Sequence, residues 1–160
     1  MLKSGERAPE FELRDHTGRD LSLSDLLADG PVILYFYPAD FTPGCTREAC
    51  TIRDLSDELL SVGLTIVGIS PQDTESHSRF RQKYGLPFSL LSDTEKTVIR
   101  MYVVDGPLGF GVRRATFLID QDRTIRASVL ADLRIGKHAD FIRYAIALRE
   151  AAGMKLQPVD

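Results

Sequence analysis

The run Val32–Tyr37, with the letters VILYFY, constrains the fold of this chain more than any other feature. Pro31 and Pro38 bound it, and it contains no polar position that could face water. Such a run is typical of a strand buried on both faces of a sheet, whereas a strand with one wet face alternates. We therefore expect Val32–Tyr37 to be a central strand in a sheet covered by helices on both sides.

The segments around this strand predict an α/β domain with a mixed sheet. An alternating pattern from Phe11 to Leu23 interrupted by turn residues predicts an N-terminal hairpin, with Ser24 capping a short helix. Further helices are expected at Thr46–Val62, from Thr74 or Glu75 to Tyr84, at Thr94–Tyr102 and from about Lys137 to Ala151. Further strands are expected at Leu64–Ile69, Phe88–Leu91, Ala115–Ile119 and Thr124–Val129. A thioredoxin-like arrangement fits that order best.

Composition favours one globular domain over residues 1–160. Of the 160 residues, 43% are hydrophobic and 27% charged, and no linker or repeat divides them. The net charge is −3 and the sequence contains no cluster of basic residues, so we expect no nucleic-acid partner. No apolar run approaches the roughly 18 residues of a membrane span, and the first residues lack a signal core. We expect a cytoplasmic protein without a membrane partner.

The loop after the central strand carries the first of only two cysteines, Cys45 and Cys50. In open α/β sheets, chemistry concentrates beyond the carboxyl ends of the strands, which is where Cys45 falls. It should lie in the first turn of a helix, where unpaired N–H groups and the helix dipole favour a thiolate. Pro38 and Pro43 would restrict the backbone around it. The alternative is a cysteine that only packs in the core.

The spacing of the two cysteines makes a geometric prediction. In a helix, residues five apart have Cα atoms about 8.6 Å apart, on sides about 140° from each other. A disulfide needs Cα atoms within about 6.8 Å, so an intact helix cannot join Cys45 to Cys50. Either the pair is a redox switch that requires the helix to unwind, or these are two unrelated thiols. Two cysteines exclude a disulfide framework and a four-cysteine zinc site.

Several segments together resemble the peroxiredoxins. The segment Phe36–Cys50 contains their Pro-x3-Thr-x2-Cys signature, and its Cys-x4-Cys spacing is similar to the bacterioferritin comigratory protein, or peroxiredoxin Q, subgroup. Further matches are Phe11–Asp15 with Gly18, Tyr84–Asp93 and Arg114–Asp120. The resemblance spans nearly the whole chain and implies a thiol peroxidase that reduces hydrogen peroxide and organic hydroperoxides with electrons from thioredoxin.

The resemblance assigns roles to matching residues. It implies that Cys45 is the peroxidatic cysteine, that Thr42 offers its hydroxyl to the peroxide, and that Arg114 holds the thiolate and the peroxide oxygens. Cys50 would be the resolving cysteine, forming an intramolecular disulfide with Cys45. No metal or other cofactor is implied.

Neighbouring residues have more modest expected roles. Pro38, Pro43 and Gly44 would shape the pocket. Glu48 would either steady the arginine or be an ordinary glutamate favoured by the helix dipole. Arg113 is one position away from the family arginine, so we expect it to play no part.

Two departures from the family pattern limit what the resemblance implies. The stretch Met101–Val112 lacks the tryptophan-containing, lysine-rich loop common in the subgroup, which leaves the pocket walls and any dimer contact open. No cysteine follows Cys50, which excludes a disulfide-linked swapped dimer and favours a monomer or weak homodimer.

Other interpretations of the same residues remain open. The three histidines, His16, His77 and His138, show no ligand spacing and are expected at the surface. A peroxide-sensing switch acting through a partner interface would share the first chemical step with a peroxidase. A thiol–disulfide oxidoreductase is disfavoured, because those enzymes use Cys-x-x-Cys.

Overall fold

The computed structural model describes residues 1–156, with side chains for residues 1–152, so the predicted domain boundary at Asp160 lies outside the described part. Its strands are β1 (Glu12–Asp15), β2 (Asp20–Ser22), β3 (Val32–Phe36), β4 (Thr65–Ser70), β5 (Ser89–Ser92), β6 (Ala115–Ile119) and β7 (Ile125–Leu130). Its helices are α1 (Leu23–Leu27), α2 (Pro43–Asp54), α3 (Ser56–Ser61), α4 (Thr74–Tyr84), α5 (Thr97–Met101) and α6 (Gly136–Leu156), with a 3₁₀ turn at Pro107–Gly109.

The strands form a single mixed sheet in the order β2-β1-β5-β4-β3-β6-β7. Strands β3, β4 and β5 are parallel neighbours, whereas β6 runs antiparallel to β3 and β1 runs antiparallel to β5. The hairpin β1–β2 closes one edge and β7 closes the other. The predicted mixed sheet with an N-terminal hairpin is therefore confirmed.

Two separate apolar clusters pack on the two faces of this sheet. One includes residues of α1 and α5, and the other includes residues of α2, α3, α4 and α6. All five residues of β3 are buried and alternate between the two clusters. The expectation that Val32–Tyr37 contains a strand covered on both faces is confirmed, and the loop after it emerges between the two clusters.

The helix predicted at Thr46–Val62 is two helices that meet at Leu55. The first helix, α2, begins earlier, because Pro43 suits the first helical position. The Ser56 hydroxyl donates to the Arg53 carbonyl at 2.5 Å, and the Leu55 N–H bonds back to Ile52 at 3.0 Å. These shorter-range bonds compete with the regular helical ladder and separate α2 from α3.

Smaller differences concern helix ends. The cap of α1 is Ser22 rather than Ser24, and it forms a reciprocal pair of bonds with Asp25. Helix α5 is shorter than the predicted Thr94–Tyr102. Helix α4 ends as expected at Gly85, which has a left-handed backbone with φ +60°. No helix among residues 1–156 is long and apolar enough to cross a membrane.

Candidate active site

The start of α2 leaves backbone donors uncommitted. Thr42 is the residue that precedes the helix, but its hydroxyl donates to the Ala39 carbonyl at 3.0 Å instead of capping the helix. Within the described residues, the N–H groups of Gly44 and Cys45 have no acceptor. First-turn N–H groups without partners form an anion-binding position, and the helix dipole adds to it.

Cys45 lies in that first turn and is buried, with only 1% of its surface exposed. Nη2 of Arg114 donates to its Sγ at 3.3 Å. The register of the sheet explains the contact, because Phe36 at the end of β3 pairs with Ala115 at the start of β6. Arg114 therefore lies beside the loop that leads into α2, and its charge faces the sulfur.

Glu48, one turn further along α2, holds the other arm of this arginine. Nη1 of Arg114 donates to Oε1 of Glu48 at 2.8 Å, and both side chains are buried. Burial raises the pKa of Glu48 to about 7, although the guanidinium opposes this. Burial works to lower the pKa of Arg114, but Glu48 and Cys45 outweigh it and raise the pKa above its ordinary value. The guanidinium therefore stays charged, and its two nitrogens donate to the Glu48 carboxyl group and to the Cys45 sulfur.

A buried histidine lies behind Glu48. Nε2 of His138 is 2.9 Å from the Ala131 carbonyl, and Nδ1 is 2.8 Å from the Thr116 hydroxyl. Burial lowers the pKa of His138, so the neutral ring donates through Nε2 and accepts from Thr116. Its Nδ1 is also 3.8 Å from Oε2 of Glu48, which has no hydrogen-bond partner among the described residues.

The expectation of surface histidines is wrong for two of the three. His138 is 1% exposed and His77 is fully buried, while His16 is half-buried. Each of the two buried rings has hydrogen-bond partners on other elements of the fold, which nothing in the local sequence indicates.

Arg113 and Arg114 occupy different environments. Arg113 is partly exposed and donates twice to one oxygen of Asp132, at 2.9 and 2.7 Å. The other oxygen of Asp132 accepts the Arg114 backbone N–H at 3.0 Å. Only Arg114 contacts Cys45, as the sequence predicts. Asp132, which holds the backbone beside the site, is a residue that sequence reasoning missed.

Gly44 and Pro43, the first two residues of α2, contribute in different ways to the start of the helix. A Cβ at Gly44 would lie 3.2 Å from Nη2 of Arg114 and 3.3 Å from Ile135, so glycine permits the close approach of the guanidinium. Pro43 is the first residue of α2 and is exposed.

Pro38 lines a groove of about 530 Å³ that reaches Arg114. Its other walls come from Gly106, Pro107, Phe110, Gly111, Val112, Arg113 and Asp132. The groove wall thus includes the part of the chain whose sequence departs from the family.

Both cysteines are free thiols on one continuous helix. Cys50 is half-buried, one turn and a half beyond Cys45. The helical geometry that keeps the two sulfurs apart is therefore present in this structure. Among the described residues, no group of three or more His, Cys, Asp or Glu side chains could hold a metal ion.

Comparisons with known proteins identify relatives of this chain by sequence and by fold. The chain is 46% identical over 132 residues to the putative peroxiredoxin Bcp of Coxiella burnetii, which covers 79% of this chain and 87% of that protein. The crystal structure of peroxidoxin BcpB from Mycobacterium tuberculosis superposes with a TM-score of 0.86 and 41% identity, covering 94% of this chain and 98% of that one.

A structure of the Xanthomonas campestris bacterioferritin comigratory protein, from work on its alkyl peroxide reduction activity, has a TM-score of 0.78. It is 28% identical and covers 89% of this chain and 91% of that one. The fold and the relatives together define a thiol peroxidase of the peroxiredoxin class on a thioredoxin-like fold. The chain belongs to the AhpC/TSA family, which matches residues 4–128. Its substrates are peroxides and a thiol reductant.

Proposed function

We propose that Cys45 is the peroxidatic cysteine and Cys50 the resolving cysteine of a peroxidase that reduces hydrogen peroxide and organic hydroperoxides. The observation that carries the proposal is the 3.3 Å contact between Nη2 of Arg114 and Sγ of Cys45 in the first turn of α2. A fixed cation and the helix N-terminus both stabilise a thiolate, which is the nucleophilic form of cysteine.

In the first step the Cys45 thiolate attacks the terminal hydroxyl oxygen of the peroxide. An S–O bond forms and the O–O bond breaks, which leaves Cys45 as a sulfenic acid. The leaving oxygen departs as hydroxide or alkoxide and takes up a proton to become water or an alcohol. Arg114 and the N–H groups of Gly44 and Cys45 would stabilise the charge that moves onto this oxygen.

Other residues of the site would align the reacting atoms. The Thr42 hydroxyl lies at the N-terminus of α2 and would rotate from the Ala39 carbonyl toward the peroxide. Glu48 would hold the guanidinium in its forked orientation, and Gly44 would leave room for it. Pro38 and Pro43 would limit movement of the loop between β3 and α2.

In the second step Cys50 reduces the sulfenic acid. The Cys50 sulfur displaces the sulfenic hydroxyl, a disulfide forms, and the hydroxyl leaves with the thiol proton as water. Helical Cα atoms five residues apart are separated by about 8.6 Å, beyond the roughly 6.8 Å limit for a disulfide. The first turns of α2 must therefore unwind before the bond can form.

Organic hydroperoxides would place their carbon chains in the groove beside Arg114. Its walls carry Pro107, Phe110 and Val112, which offer apolar surface next to a charged end. A hydroperoxide has the matching division between a polar reacting group and an apolar tail. This supports organic hydroperoxides as well as hydrogen peroxide as substrates.

The cycle closes when a dithiol protein of the thioredoxin type reduces the Cys45–Cys50 disulfide. A reducing compartment suits a pair that must return to free thiols, which supports a cytoplasmic location. We further propose a single domain over residues 1–160, acting as a monomer or weak homodimer without nucleic-acid or membrane partners.

The test is the intact mass of the reduced protein after one equivalent of hydrogen peroxide, with peptide mapping. Loss of two hydrogens, mapped to a Cys45–Cys50 bond, is expected. One oxygen retained on Cys45 alone would remove Cys50 from the mechanism, and an unchanged mass would refute the assignment of Cys45. Many turnovers with thioredoxin and its reductase are expected for an enzyme, whereas a sensor stops after one.

A further inference from the structure

The loop between β3 and α2 contains a buried carboxylate that takes no part in the chemistry proposed above. The Asp40 side chain is fully buried. Its Oδ1 accepts the Tyr37 hydroxyl at 2.6 Å, and its Oδ2 accepts the Ser76 hydroxyl at 2.7 Å. Nδ1 of His77 also lies 2.7 Å from Oδ2. Two of these partners belong to α4, so Asp40 ties the loop to a different helix from the one that carries the cysteines.

The hydrogen-bond distances around His77 indicate how many protons the His77 ring and the Asp40 carboxyl group carry between them. Nε2 lies 3.1 Å from the Leu91 carbonyl, which can only accept, so Nε2 carries a proton. Nδ1 faces the Asp40 carboxyl group at 2.7 Å, and a second proton must lie between them, because two lone pairs would repel at this distance. The Tyr37 and Ser76 hydroxyls already donate to this carboxyl group, so it acts as an acceptor and the proton between the two groups belongs to Nδ1. The geometry therefore fits an imidazolium beside a carboxylate.

The backbone at Phe41, the residue after Asp40, is also held in place. Phe41 has φ +63°, a left-handed conformation that L-residues rarely adopt. Its ring packs on Phe80 at 5.2 Å and on Tyr84 at 6.4 Å between ring centres. Both rings belong to α4. Polar and aromatic contacts to one helix thus fix two consecutive residues, immediately before Thr42 and the start of α2.

We propose that Asp40 and His77 are positioning residues that hold the start of α2 against α4 and thereby accelerate the attack of Cys45 on peroxide. The inference rests on the proposed role of Cys45. With Asp40 held, Thr42 and the first turn of α2 present their donors in one arrangement. The same contacts mark where unwinding stops, because Asp40 and Phe41 stay packed against α4 while the residues after them rearrange. Loosening the pair should therefore slow peroxide attack without slowing disulfide formation.

Three variants separate geometry from charge and from general stability. Asp40→Ala removes every contact of the carboxylate. Asp40→Asn keeps an oxygen for the Tyr37 hydroxyl and offers N–H groups to Ser76 and to a neutral His77, so the network survives without its charges. The matched control is Asp73→Ala, which removes the cap of α4, a bond from the Ser76 N–H at 2.8 Å, without touching the loop.

The measurement is rapid quenching of reduced protein mixed with hydrogen peroxide, followed by alkylation and mass spectrometry, which counts sulfenic acid and disulfide separately. Asp40→Ala should slow Cys45 oxidation by about tenfold to a hundredfold, the effect expected from misplaced reacting groups. Its disulfide formation should be as fast as in the wild type or faster. Asp40→Asn should recover most of the oxidation rate, and Asp73→Ala should lower thermal stability while it keeps the wild-type rate.

A ¹⁵N spectrum of the histidine rings adds a readout that does not depend on activity. Both nitrogens of His77 should be protonated in the wild type, and only Nε2 in Asp40→Asn. An unprotonated Nδ1 in the wild type overturns the proposed pair, even if Asp40→Ala fails to fold.

Wild-type oxidation rates in a folded Asp40→Ala protein also overturn the inference, as does an equal slowing in Asp73→Ala. These failures differ from failure of the proposed function, in which the wild type itself forms no sulfenic acid at Cys45.

Discussion

Arg114 reaches Cys45 across 69 positions of sequence, with Nη2 3.3 Å from Sγ. The antiparallel pairing of β3 with β6 brings the two together, because the strand end that leads to Cys45 faces the strand start that follows Arg114. The position of this charge is therefore set first by the register of the sheet, and Asp132 and Glu48 hold the backbone and the guanidinium in place. The arginine should not tolerate a change in its own shape.

The forked shape of Arg114 should matter more than its charge. In Arg114→Lys, one ammonium cannot reach both Glu48 and Cys45 in the arrangement that the guanidinium provides. We expect the second-order rate of Cys45 oxidation to fall about a hundredfold, as for loss of a transition-state donor. Rapid mixing with peroxide, followed by quenching and mass spectrometry, measures this rate. Arg113→Lys is the control and should change it by less than about twofold, since that pair is exposed. Equal effects at both positions would contradict the assignment.

Rapid oxidation of Cys45 should also require that residue 44 has no side chain. In Gly44→Ala, a Cβ 3.2 Å from Nη2 of Arg114 pushes the guanidinium away from the sulfur. We expect oxidation about tenfold slower, because the reacting groups are misaligned. Stability should change by less than about 1 kcal/mol, since alanine favours the helix by a similar amount.

Gly136→Ala is the matched control for Gly44→Ala. A Cβ at Gly136, the first residue of α6, meets nothing within 4 Å. The same peroxide assay and a urea titration should show a wild-type rate and little loss of stability. A wild-type rate in Gly44→Ala would mean that the arginine has room to adjust.

The buried carboxyl group of Glu48 should make stability depend on pH in a defined direction. Burial raises its pKa from 4.5 to about 7 in the folded protein, so the folded state binds the proton more tightly than the unfolded state. The stabilisation from this proton is complete below pH 4.5 and is lost as pH rises through about 7. Glu48→Gln has no proton to lose and should lack this dependence.

Urea unfolding of the reduced wild type and of Glu48→Gln at pH 5 and pH 8 tests the prediction. Relative to the variant, the free energy of unfolding of the wild type should fall by about 2 to 3 kcal/mol between the two pH values. Parallel behaviour of the two proteins, or a relative gain at high pH, would show that Arg114 keeps the carboxyl group ionised throughout.

Removal of the second cysteine should separate the two steps of the cycle. Cys50→Ser keeps the contacts of Cys45, so sulfenic acid should form at the wild-type rate and then persist. Excess peroxide should convert it to sulfinic acid, which appears in the mass spectrum as a second added oxygen. If Cys50→Ser abolished the first oxidation, the attacking and resolving roles would be wrong.

The sequence predicted most of the fold because its strongest signals are local. An unbroken apolar run identified β3, and Gly85 marked the end of α4. The break at Leu55 was missed, because apolar residues continue at helical spacing through it and only a side-chain bond from Ser56 interrupts the ladder. The start of α2 at Pro43 could have been found from the preference of proline for the first helical position.

The candidate site was predictable only where a motif carried it. Cys45 and Arg114 match a family pattern, and the structure brings them into contact. His77 and His138 were placed at the surface, because isolated histidines give no sign of burial. Their partners, Asp40 and Thr116, are polar residues of a loop and a strand. Only the folded chain shows that these distant residues meet, and no spacing rule connects them.

The unbroken helix that separates the two thiols would also influence the reduction potential of the proposed pair. In the proposed cycle, α2 is whole in the dithiol form and partly unwound in the disulfide form, so every contact that stabilises the helix favours reduction. A tenfold shift in the winding equilibrium moves the midpoint potential by about 30 mV. Substitutions in the first turns of α2 that change the stability of the helix without altering either thiol would therefore tune how strongly the oxidised protein accepts electrons from its reductant.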